Sequence, residues 1–413
     1  MNMHNLTKIS LFRILLRITY PFSLLVLYPL ALLKKKNPDG LFFFFDRYAI
    51  GGAQRIHIDI LRSVQEAAKQ VYFTRKSPND RLKTEFYSIP HARSRDIHLW
   101  CDNLLFRLFT VHYYCFYINR HKNARVLGAN STFFYDILPF LGAKATTIEL
   151  LHNFTFGSRG MEFFGLANHR YLDIRIVYDS FTLSNIKEQY RQFQVDSTYL
   201  DRILFIEPGV DIPAPPVKGF DLPLRILYAG RGGPQKRIHL LNRIVEKSLS
   251  LQLPVEFHFA GSMTSELSDL VKGQCIIHGE ISSLAEMQNL YAMADIILLV
   301  SAYEGFPMFI KEGMAAGCVP VVTPLPGNRM HLKDGENALL ISVIEPEDQV
   351  VASALECIGR LTENPDMLRY LSGHAYQYAS LHFTKTAFEA AYQKLLLSGE
   401  SLPLPAIHNR NSP

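Results

Sequence analysis

The chain reads SAYEGFPMFIKEGMAAG over residues 301–317. An apolar run, DIILLV at residues 295–300, precedes this stretch, and CVPVV at residues 318–322 follows it. The pattern predicts a buried strand, a turn, a helix and a second buried strand. It places Glu304 in the turn just past a strand and Glu312 within the helix. Because open α/β sheets bind ligands beyond the C-terminal ends of parallel strands, the pattern indicates a ligand site.

Composition narrows the class of protein. A chain of 413 residues predicts about two domains with substantial cores, and 48% hydrophobic with 20% charged residues indicates a globular protein. The net charge of +5 suits anionic ligands or a membrane surface, but it is too small and too scattered to indicate nucleic-acid binding. The five cysteines show no CxxC spacing, which favours a reducing cytosol without disulfides or zinc.

The N-terminus carries an apolar run at residues 18–33, with basic residues on both sides. The run is short for a membrane span, and Pro21 and Pro29 are expected to interrupt a helix. Its basic flanks favour peripheral association with an anionic membrane face, on the cytoplasmic side; the alternative is a helix packed on the protein's own surface. A cleaved signal peptide is not expected, because the lysine cluster follows the apolar run. Residues 1–37 are therefore interpreted as a membrane-associating extension.

Strand and helix patterns alternate along the rest of the chain, which predicts doubly wound parallel sheets. A segment with four prolines, residues 207–216, predicts a linker between two domains. The predicted architecture is α/β, with two Rossmann-like domains that face each other across a cleft. The predicted segments after the extension are a first domain at 38–206, a second domain at 207–384, a helix at 385–400 and a tail at 401–413.

A group of small and basic residues follows a predicted strand at 224–230. Gly230 lets the backbone approach a phosphate, and the following helix N-terminus adds partial positive charge. Arg231 can bind a diphosphate through two parallel hydrogen bonds, while Lys236 adds a compact charge. These cations would stabilise a nucleotide diphosphate as it leaves. Two cations in a loop more often lie on a solvated surface, so the interpretation depends on the acidic residues downstream.

Three further groups have both a functional and a structural interpretation. Glu304 and Glu312 can each accept hydrogen bonds from vicinal hydroxyls of a ribose or a sugar ring, although Glu312 could equally be an exposed helix glutamate. Gly51 and Gly52 follow the first predicted strand and either offer amides to an anion or form a tight turn. His152 closes another predicted strand and is either a structural hydrogen-bonding group or a catalytic one.

Several common motifs do not occur in the sequence. It contains no Asp-x-Asp, no His/Cys/carboxylate cluster with metal-ligand spacing, and no Walker, GxSxG or GxGxxG motif. We therefore expect activity that needs neither a bound metal nor a cofactor.

The order of these motifs resembles the GT-B fold retaining glycosyltransferases of family 4, the glycosyl transferases group 1. The resemblance covers about residues 38–397 and is strongest over 224–342. The motifs that carry it are Gly51-Gly-Ala-Gln-Arg55, His152, Pro208-Gly-Val-Asp211, Gly230-Arg231 with Lys236, and Glu304-x7-Glu312-Gly-Met-Ala-Ala-Gly317. It implies an acceptor-side first domain, a second domain for the nucleotide sugar, and a last helix that crosses back to the first domain. It also implies metal-independent transfer with retention of configuration.

The resemblance implies roles for individual residues. Those implied in catalysis are His152, Arg231, Lys236 and Glu304. Those implied in binding the nucleotide sugar are Gly51, Gly52, Gly230, Arg231, Lys236, Glu280, Ile281, Glu304, Gly305, Phe306 and Glu312. Arg231 and Lys236 would hold the diphosphate, Glu312 the ribose, and Glu304 the donor sugar or its surroundings.

The sequence departs from the family pattern in three places. Gly313 replaces the usual alanine, Arg237 replaces the usual glycine, and the turn at 323–328 replaces a glycine-rich one. The predicted function is transfer of a sugar from a UDP- or GDP-linked donor to a glycan or lipid-linked acceptor, in polysaccharide or lipopolysaccharide assembly. The alternatives are a catalytically degenerate scaffold that binds a nucleotide or glycan, and a GT-B epimerase or phosphorylase.

Overall fold

A computed structural model describes residues 3–49, 51–152, 154, 160–215, 217–281 and 283–398. The chain forms two compact units. The first consists of Met1–Glu207 with Phe388–Pro413, and the second of Pro208–Ala387. Each unit contains one parallel sheet with helices, which confirms the predicted fold class of two Rossmann-like domains.

The first unit has a seven-stranded sheet in the order β3-β2-β1-β4-β5-β6-β7, all parallel. Its strands are β1 (Leu41–Phe45), β2 (Lys69–Phe73), β3 (Ala92–Asp96), β4 (Arg125–Ala129), β5 (Thr146–Leu150), β6 (Ile174–Val177) and β7 (Ile203–Phe205). Its helices are α1 (Met3–Leu33), α2 (Gly52–Ser63), α3 (Lys83–Tyr87), α4 (His98–Asp102), α5 (Leu104–Ile118), α6 (Thr132–Ile137), α7 (Met161–Asn168) and α8 (Ser180–Gln192). All five residues of β1 are buried, as the continuous apolar run predicts for a central parallel strand.

The second unit has a six-stranded parallel sheet in the order β10-β9-β8-β11-β12-β13. Its strands are β8 (Leu224–Ala229), β9 (Val255–Ala260), β10 (Ile276–Gly279), β11 (Ile296–Leu299), β12 (Val319–Val322) and β13 (Leu339–Leu340). Its helices are α9 (Ile238–Ser250), α10 (Asp269–Gln274), α11 (Leu284–Met293), α12 (Met308–Ala315), α13 (Pro326–His331), α14 (Glu347–Glu363) and α15 (Pro365–His382). The strand order reverses between β8 and β11, which makes the loops after these two strands neighbours.

The last α-helix of the described residues, α16 (Lys385–Gln393), begins in the second unit and ends in the first. Its residues Phe388 and Tyr392 are buried in the apolar core of the first unit, and Leu395 and Leu396 join them in the next turn. The return of the final helix to the first domain therefore agrees with the prediction.

Helix α1 differs from the expectation that prolines would interrupt it. It runs without a break past Pro21 and Pro29. Each proline removes one backbone hydrogen bond, but packing against α5 holds the helix along its length. Among the described helices, the segment Leu11–Leu33 alone is long and apolar enough to cross a membrane, judged by length and composition.

Candidate active site

The loops after β8 and β11 bring Lys236 and Glu304 together at the point where the strand order of the second sheet reverses. The Lys236 ammonium forms an ion pair with the Glu304 carboxylate. Their side chains are only 13% and 12% exposed, so both charges are largely removed from water. Two buried charges of opposite sign depend on each other, because removal of either leaves the other unpaired.

Gln235 ties the same two loops together through its main chain and its side chain. The amide of Ala302 donates to the Gln235 carbonyl at 2.9 Å, and the Gln235 side chain donates to the Tyr303 carbonyl at 2.9 Å. The exposed Arg231 guanidinium donates to the Gln235 Oε1 at 2.9 Å. Arg231, Lys236 and Glu304 are therefore parts of one connected cluster.

Glu266 contacts this cluster although the sequence did not indicate it. Its Oε2 accepts a hydrogen bond from the amide of Gly233 at 3.0 Å, and a Cβ on Gly232 would lie 1.9 Å from its Oε1. The sequence predicts that the loop after β8 binds phosphates. In the structure the Glu266 carboxylate lies against the backbone amide of Gly233 in that loop. Glu266 follows β9 by six residues and has no motif of its own, so no sequence signal pointed to it.

Arg237 shows how the chain accommodates its departure from the usual glycine. The residue has φ +51° and ψ +51°, a left-handed conformation that glycine adopts without strain. Its buried guanidinium donates to the Ile344 carbonyl at 2.9 Å and pairs with Glu345 at 3.2 Å. These contacts offset the strain of the left-handed conformation just after Lys236.

The second acidic residue, Glu312, lies in α12 and is held by a buried tyrosine. The hydroxyl of Tyr291 donates to its Oε2 at 2.6 Å. Burial and the nearby Glu312 carboxylate raise the pKa of Tyr291 far above its usual value, which keeps the hydroxyl a donor. A Cβ on Gly313 would lie 2.6 Å from the Cδ1 of Ile297, so this glycine makes room for a side chain of β11.

Gly305 and Phe306 directly follow Glu304 in the loop after β11. The ring of Phe306 is buried, with its centroid 4.4 Å from that of His331 and 5.5 Å from that of Phe383. A Cβ on Gly327 would lie 1.5 Å from the Gly305 carbonyl oxygen, so the altered turn at 323–328 still needs a glycine where it meets the Glu304 loop. The side chain of Phe306 is therefore part of the apolar core.

The other predicted residues of the second unit lie at strand ends. Gly230 directly follows β8, and its amide donates to the Ala260 carbonyl at 2.9 Å. Glu280 and Ile281 follow β10; Glu280 is exposed, while Ile281 packs partly against the core. The structure places these three residues at the same edge of the sheet as Lys236 and Glu304, since all follow parallel strands.

Two predicted residues of the first unit, Gly51 and Gly52, lie at the start of α2. Gly51 precedes the helix as its N-cap in an extended conformation, and Gly52 begins it. A Cβ on Gly52 would meet no atom within 4 Å, so the backbone there borders open space.

His152 follows β5 and forms a buried pair with His57 of α2. The two Nε2 atoms lie 2.8 Å apart, and the His152 Nδ1 lies 3.1 Å from the hydroxyl of Tyr178. The His57 ring stacks on Phe45 at 4.1 Å between centroids. Both ring nitrogens of His152 therefore have partners inside the first unit. A sugar contact through the imidazole would require one of these hydrogen bonds to be exchanged.

The histidine pair should make the first unit sensitive to acid. Burial lowers the pKa of His152 to about 4, and burial with the neighbouring His152 lowers the pKa of His57 well below its usual value. In the unfolded chain both groups titrate near about 6.5. Below that pH the unfolded chain therefore binds more protons, and stability falls until the native groups protonate. Each histidine contributes up to about 1.4 kcal/mol per pH unit over this range.

We expect His57→Gln, which removes one titrating group, to flatten this pH dependence. The free energy of urea unfolding, followed by the fluorescence of Trp100 in the first unit, should fall by about 2 kcal/mol less in the variant than in the wild type between pH 6.5 and pH 4.5. His98→Gln, at a histidine that is not buried, is the control. Parallel curves for wild type and His57→Gln would contradict a neutral buried pair.

Metal ligands do not cluster in the described part of the chain: no three His, Cys, Asp or Glu side chains there are placed to hold an ion.

The second unit matches the family model of glycosyl transferases group 1 over residues 223–367. Among curated proteins, the chain is similar to the GtfA subunit of the UDP-N-acetylglucosamine–peptide N-acetylglucosaminyltransferase of Streptococcus pneumoniae, with 25% identity over 173 residues. That match covers 40% of this chain and 34% of the relative, so the chain spans about a third of the relative's length.

Solved structures with a similar fold cover most of the chain. The structure of HepE from Anabaena in complex with UDP-glucose superposes with a TM-score of 0.69 at 15% identity, over 87% of this chain and 99% of HepE. The apo form of WaaB, a lipopolysaccharide outer core galactosyltransferase, gives a TM-score of 0.63 at 17% identity, over 87% of this chain and 99% of WaaB. The chain thus has the GT-B fold, and within it residues 223–367 match the model of the glycosyl transferases group 1.

Proposed function

We propose that this chain is a retaining glycosyltransferase that moves a sugar from a nucleotide diphosphate donor to a glycan or lipid-linked acceptor without a metal ion. The observation that carries the proposal is the cluster of Arg231, Lys236 and Glu304, which two strand-end loops assemble within the family-matched unit. Retention is proposed from the family resemblance, and metal independence from the absence of an Asp-x-Asp sequence.

The charges of this cluster suit the departure of a nucleotide diphosphate. When the glycosidic bond breaks, negative charge grows on the leaving phosphate oxygen. Lys236 offers an ammonium with low exposure to water, where its interaction with that oxygen is stronger than in bulk solvent. Arg231 is exposed and can turn from Gln235 to a phosphate. These two cations supply the charge that a metal supplies in other enzymes.

UDP is the nucleotide that we propose first. HepE was solved with UDP-glucose, and the pneumococcal relative is named for a UDP-linked donor. The proposed acceptor is a glycan or a lipid-linked saccharide in polysaccharide or lipopolysaccharide-type assembly. We propose that the protein works on the cytoplasmic side of the cell membrane as a peripheral protein, because basic residues flank the apolar segment of α1.

Nucleotide binding in a chelator tests the proposal directly. The thermal midpoint should be measured in EDTA with UDP, GDP, ADP and CMP, each at about 100 times its dissociation constant, where a ligand specific for the folded state adds about 2.7 kcal/mol. We expect UDP to raise the midpoint, and the Lys236→Met variant to lose that rise relative to its own ligand-free midpoint. Lys333→Met, at a lysine that is 70% exposed in the same unit, is the matched control.

The same panel separates the proposal from the alternatives. Stabilisation by UDP that is abolished by EDTA would contradict metal independence. No stabilisation by any nucleotide would contradict the donor site and favour a scaffold. UDP-sugar turnover without any acceptor would favour an epimerase or a hydrolytic enzyme.

A further inference from the structure

Helix α1 has one buried face and one exposed apolar face. Leu16 and Ala31 on the buried face are fully covered by the core that contains α5. Between Ile18 and Leu33 the helix carries no charged residue. Its exposed apolar positions include Ile14, Ile18, Phe22 and Leu25, with exposed fractions of 51%, 68%, 59% and 77%. A row of large apolar side chains facing water marks an interaction surface.

Polar contacts at both ends fasten α1 along the first unit. The Arg13 guanidinium donates to the Asn168 side chain at 2.6 Å. At the other end, the Arg120 guanidinium donates to the carbonyls of Ala31 and Lys34. The last carbonyls of a helix have no partner within it, so Arg120 satisfies them and its charge complements the helix dipole. α1 is therefore held against the unit over its whole length.

A second exposed apolar group lies at α4 and the start of α5. The segment 99–106 contains five large apolar side chains that are about half exposed or more. They are Leu99 (72%), Trp100 (56%), Leu104 (60%), Leu105 (60%) and Phe106 (48%). The ring centroids of Trp100 and Phe106 lie 5.5 Å apart, so these two side chains form a single apolar projection.

The two groups meet on one side of the unit. The ring of Phe22 on α1 lies 6.0 Å from the ring of Phe109 on α5. Leu105 lies one helical turn before Phe109, which places both on the same face of α5. The exposed face of α1 therefore continues into segment 99–106.

Basic residues accompany this surface. The first 38 residues contain six Lys or Arg and no Asp or Glu, whereas the remaining chain has 37 basic and 38 acidic residues. Lys35 and Lys36 are exposed at the end of α1, and Arg93 and Arg95 are exposed on the edge strand β3. The Lys34 ammonium donates to the Tyr72 hydroxyl at 3.2 Å, and Tyr72 of β2 pairs with Arg95 of β3, so β3 lies near the end of α1. The excess positive charge of the whole protein is thus concentrated beside its largest exposed apolar helix.

We propose that α1 lies in the plane of an anionic lipid surface and that segment 99–106 inserts into the same leaflet beside it. An in-plane helix suits the structure because a spanning α1 would have to leave α5 and the partners of Arg13 and Arg120. A lipid surface suits the charge because anionic headgroups attract basic residues at the border of an apolar face. The inference deepens the proposed function and rests on it for the lipid-linked acceptor, since it gives the enzyme a fixed orientation on the membrane that carries the acceptor.

Trp100 is the single tryptophan of the chain, so its fluorescence reports whether segment 99–106 enters a lipid surface. The full chain should be mixed with vesicles of phosphatidylcholine alone and of phosphatidylcholine with phosphatidylglycerol. With the anionic vesicles we expect the emission of Trp100 to shift to shorter wavelength. We also expect quenching to be stronger by lipids brominated near the headgroup than by lipids brominated near the chain ends, because an in-plane surface inserts only shallowly.

Substitutions in segment 99–106 test whether this segment contributes to membrane binding. We expect Leu104→Ser/Leu105→Ser to weaken partition into anionic vesicles by at least about tenfold, since each serine removes most of a leucine's transfer free energy. Leu251→Ser/Leu381→Ser removes two leucines of similar exposure, 62% and 70%, from the second unit. This control pair should leave partition unchanged.

Three results would overturn the inference. Vesicle binding without any change in Trp100 emission would remove segment 99–106 from the membrane surface. Quenching mainly by bromine near the bilayer centre would contradict shallow insertion. Dimers that form through this face without vesicle binding would assign it to a second copy of the chain. Stabilisation by UDP should be measured on the same variants: if UDP still stabilises them while partition is lost, the donor site stands independently of the membrane surface.

Discussion

The Lys236→Met variant should transfer sugar about 10³-fold more slowly than the wild type. Lys236 is much less exposed than Arg231, so its charge acts on the leaving phosphate with little screening by water. Loss of a single preorganised charge at a developing anion costs about 10²–10³ in turnover, and a leaving diphosphate lies at the upper end of that range. The measurement is the initial rate of transfer from a UDP-linked donor at saturating donor concentration.

The same substitution should also destabilise the second unit, and a second variant separates the two effects. Lys236→Met leaves the Glu304 carboxylate buried without its cation, which costs about 3–5 kcal/mol when a buried pair is broken. Lys236→Met/Glu304→Gln removes both charges, so the double variant should recover most of the lost stability. Its transfer rate should stay as low as that of the single variant, because the group that stabilises the leaving phosphate is still missing.

The control is Lys333→Met, whose side chain is exposed and whose rate should match the wild type. If the double variant recovered activity together with stability, Lys236 would be a structural residue and the diphosphate would be held elsewhere. If all variants retained the wild-type rate, the candidate site would be wrong.

The sequence predicted the central strands of both sheets because each carries a continuous apolar run. The pattern at 295–300 corresponds to β11, and that at 318–322 to β12, both buried throughout. The sequence did not predict β3. The residues of this strand alternate between exposed and half-buried, and they include Arg93, Arg95 and Asp96. An edge strand needs no apolar run, since one side of it has no neighbouring strand. β7 and β13 have three and two residues, too few for a periodic pattern.

The sequence pattern also predicted that the charged residues of the candidate site lie at strand ends. It did not predict which residues they contact. The pairing of Lys236 with Glu304 follows from the adjacency of β8 and β11, which are more than 60 residues apart in the chain. His57 could have been noticed, because it lies in a helix whose neighbouring residues Ile56, Ile60 and Leu61 are buried. Glu266 and Tyr291 carry no such signal; only the folded chain brings them to the site.

The second large effect concerns Glu312, which we propose binds the ribose of the donor. Glu312→Gln should weaken UDP binding about 10- to 100-fold, since hydrogen bonds to a charged group contribute about 1.5–3 kcal/mol. The amide oxygen of glutamine can still accept from the Tyr291 hydroxyl, now at 2.6 Å from the Glu312 Oε2, so the helix should keep its local packing. The measurement is calorimetric titration with UDP, with Glu356→Gln on α14 as a control in the same unit.

A comparison with 2′-deoxy-UDP distinguishes a ribose contact from a general loss of structure. A carboxylate that accepts from both ribose hydroxyls loses one bond when the 2′-hydroxyl is absent, so the wild type should bind UDP more tightly than 2′-deoxy-UDP. Glu312→Gln should lose most of that preference, because the two changes remove the same interaction and are therefore not additive. Tyr291→Phe, which frees Glu312 from its buried donor, should lower the preference only partly, since Tyr291 positions the carboxylate without touching the ligand. Equal losses of affinity for both nucleotides in Glu312→Gln would mean that Glu312 supports the fold of α12 and that the ribose is bound by another residue.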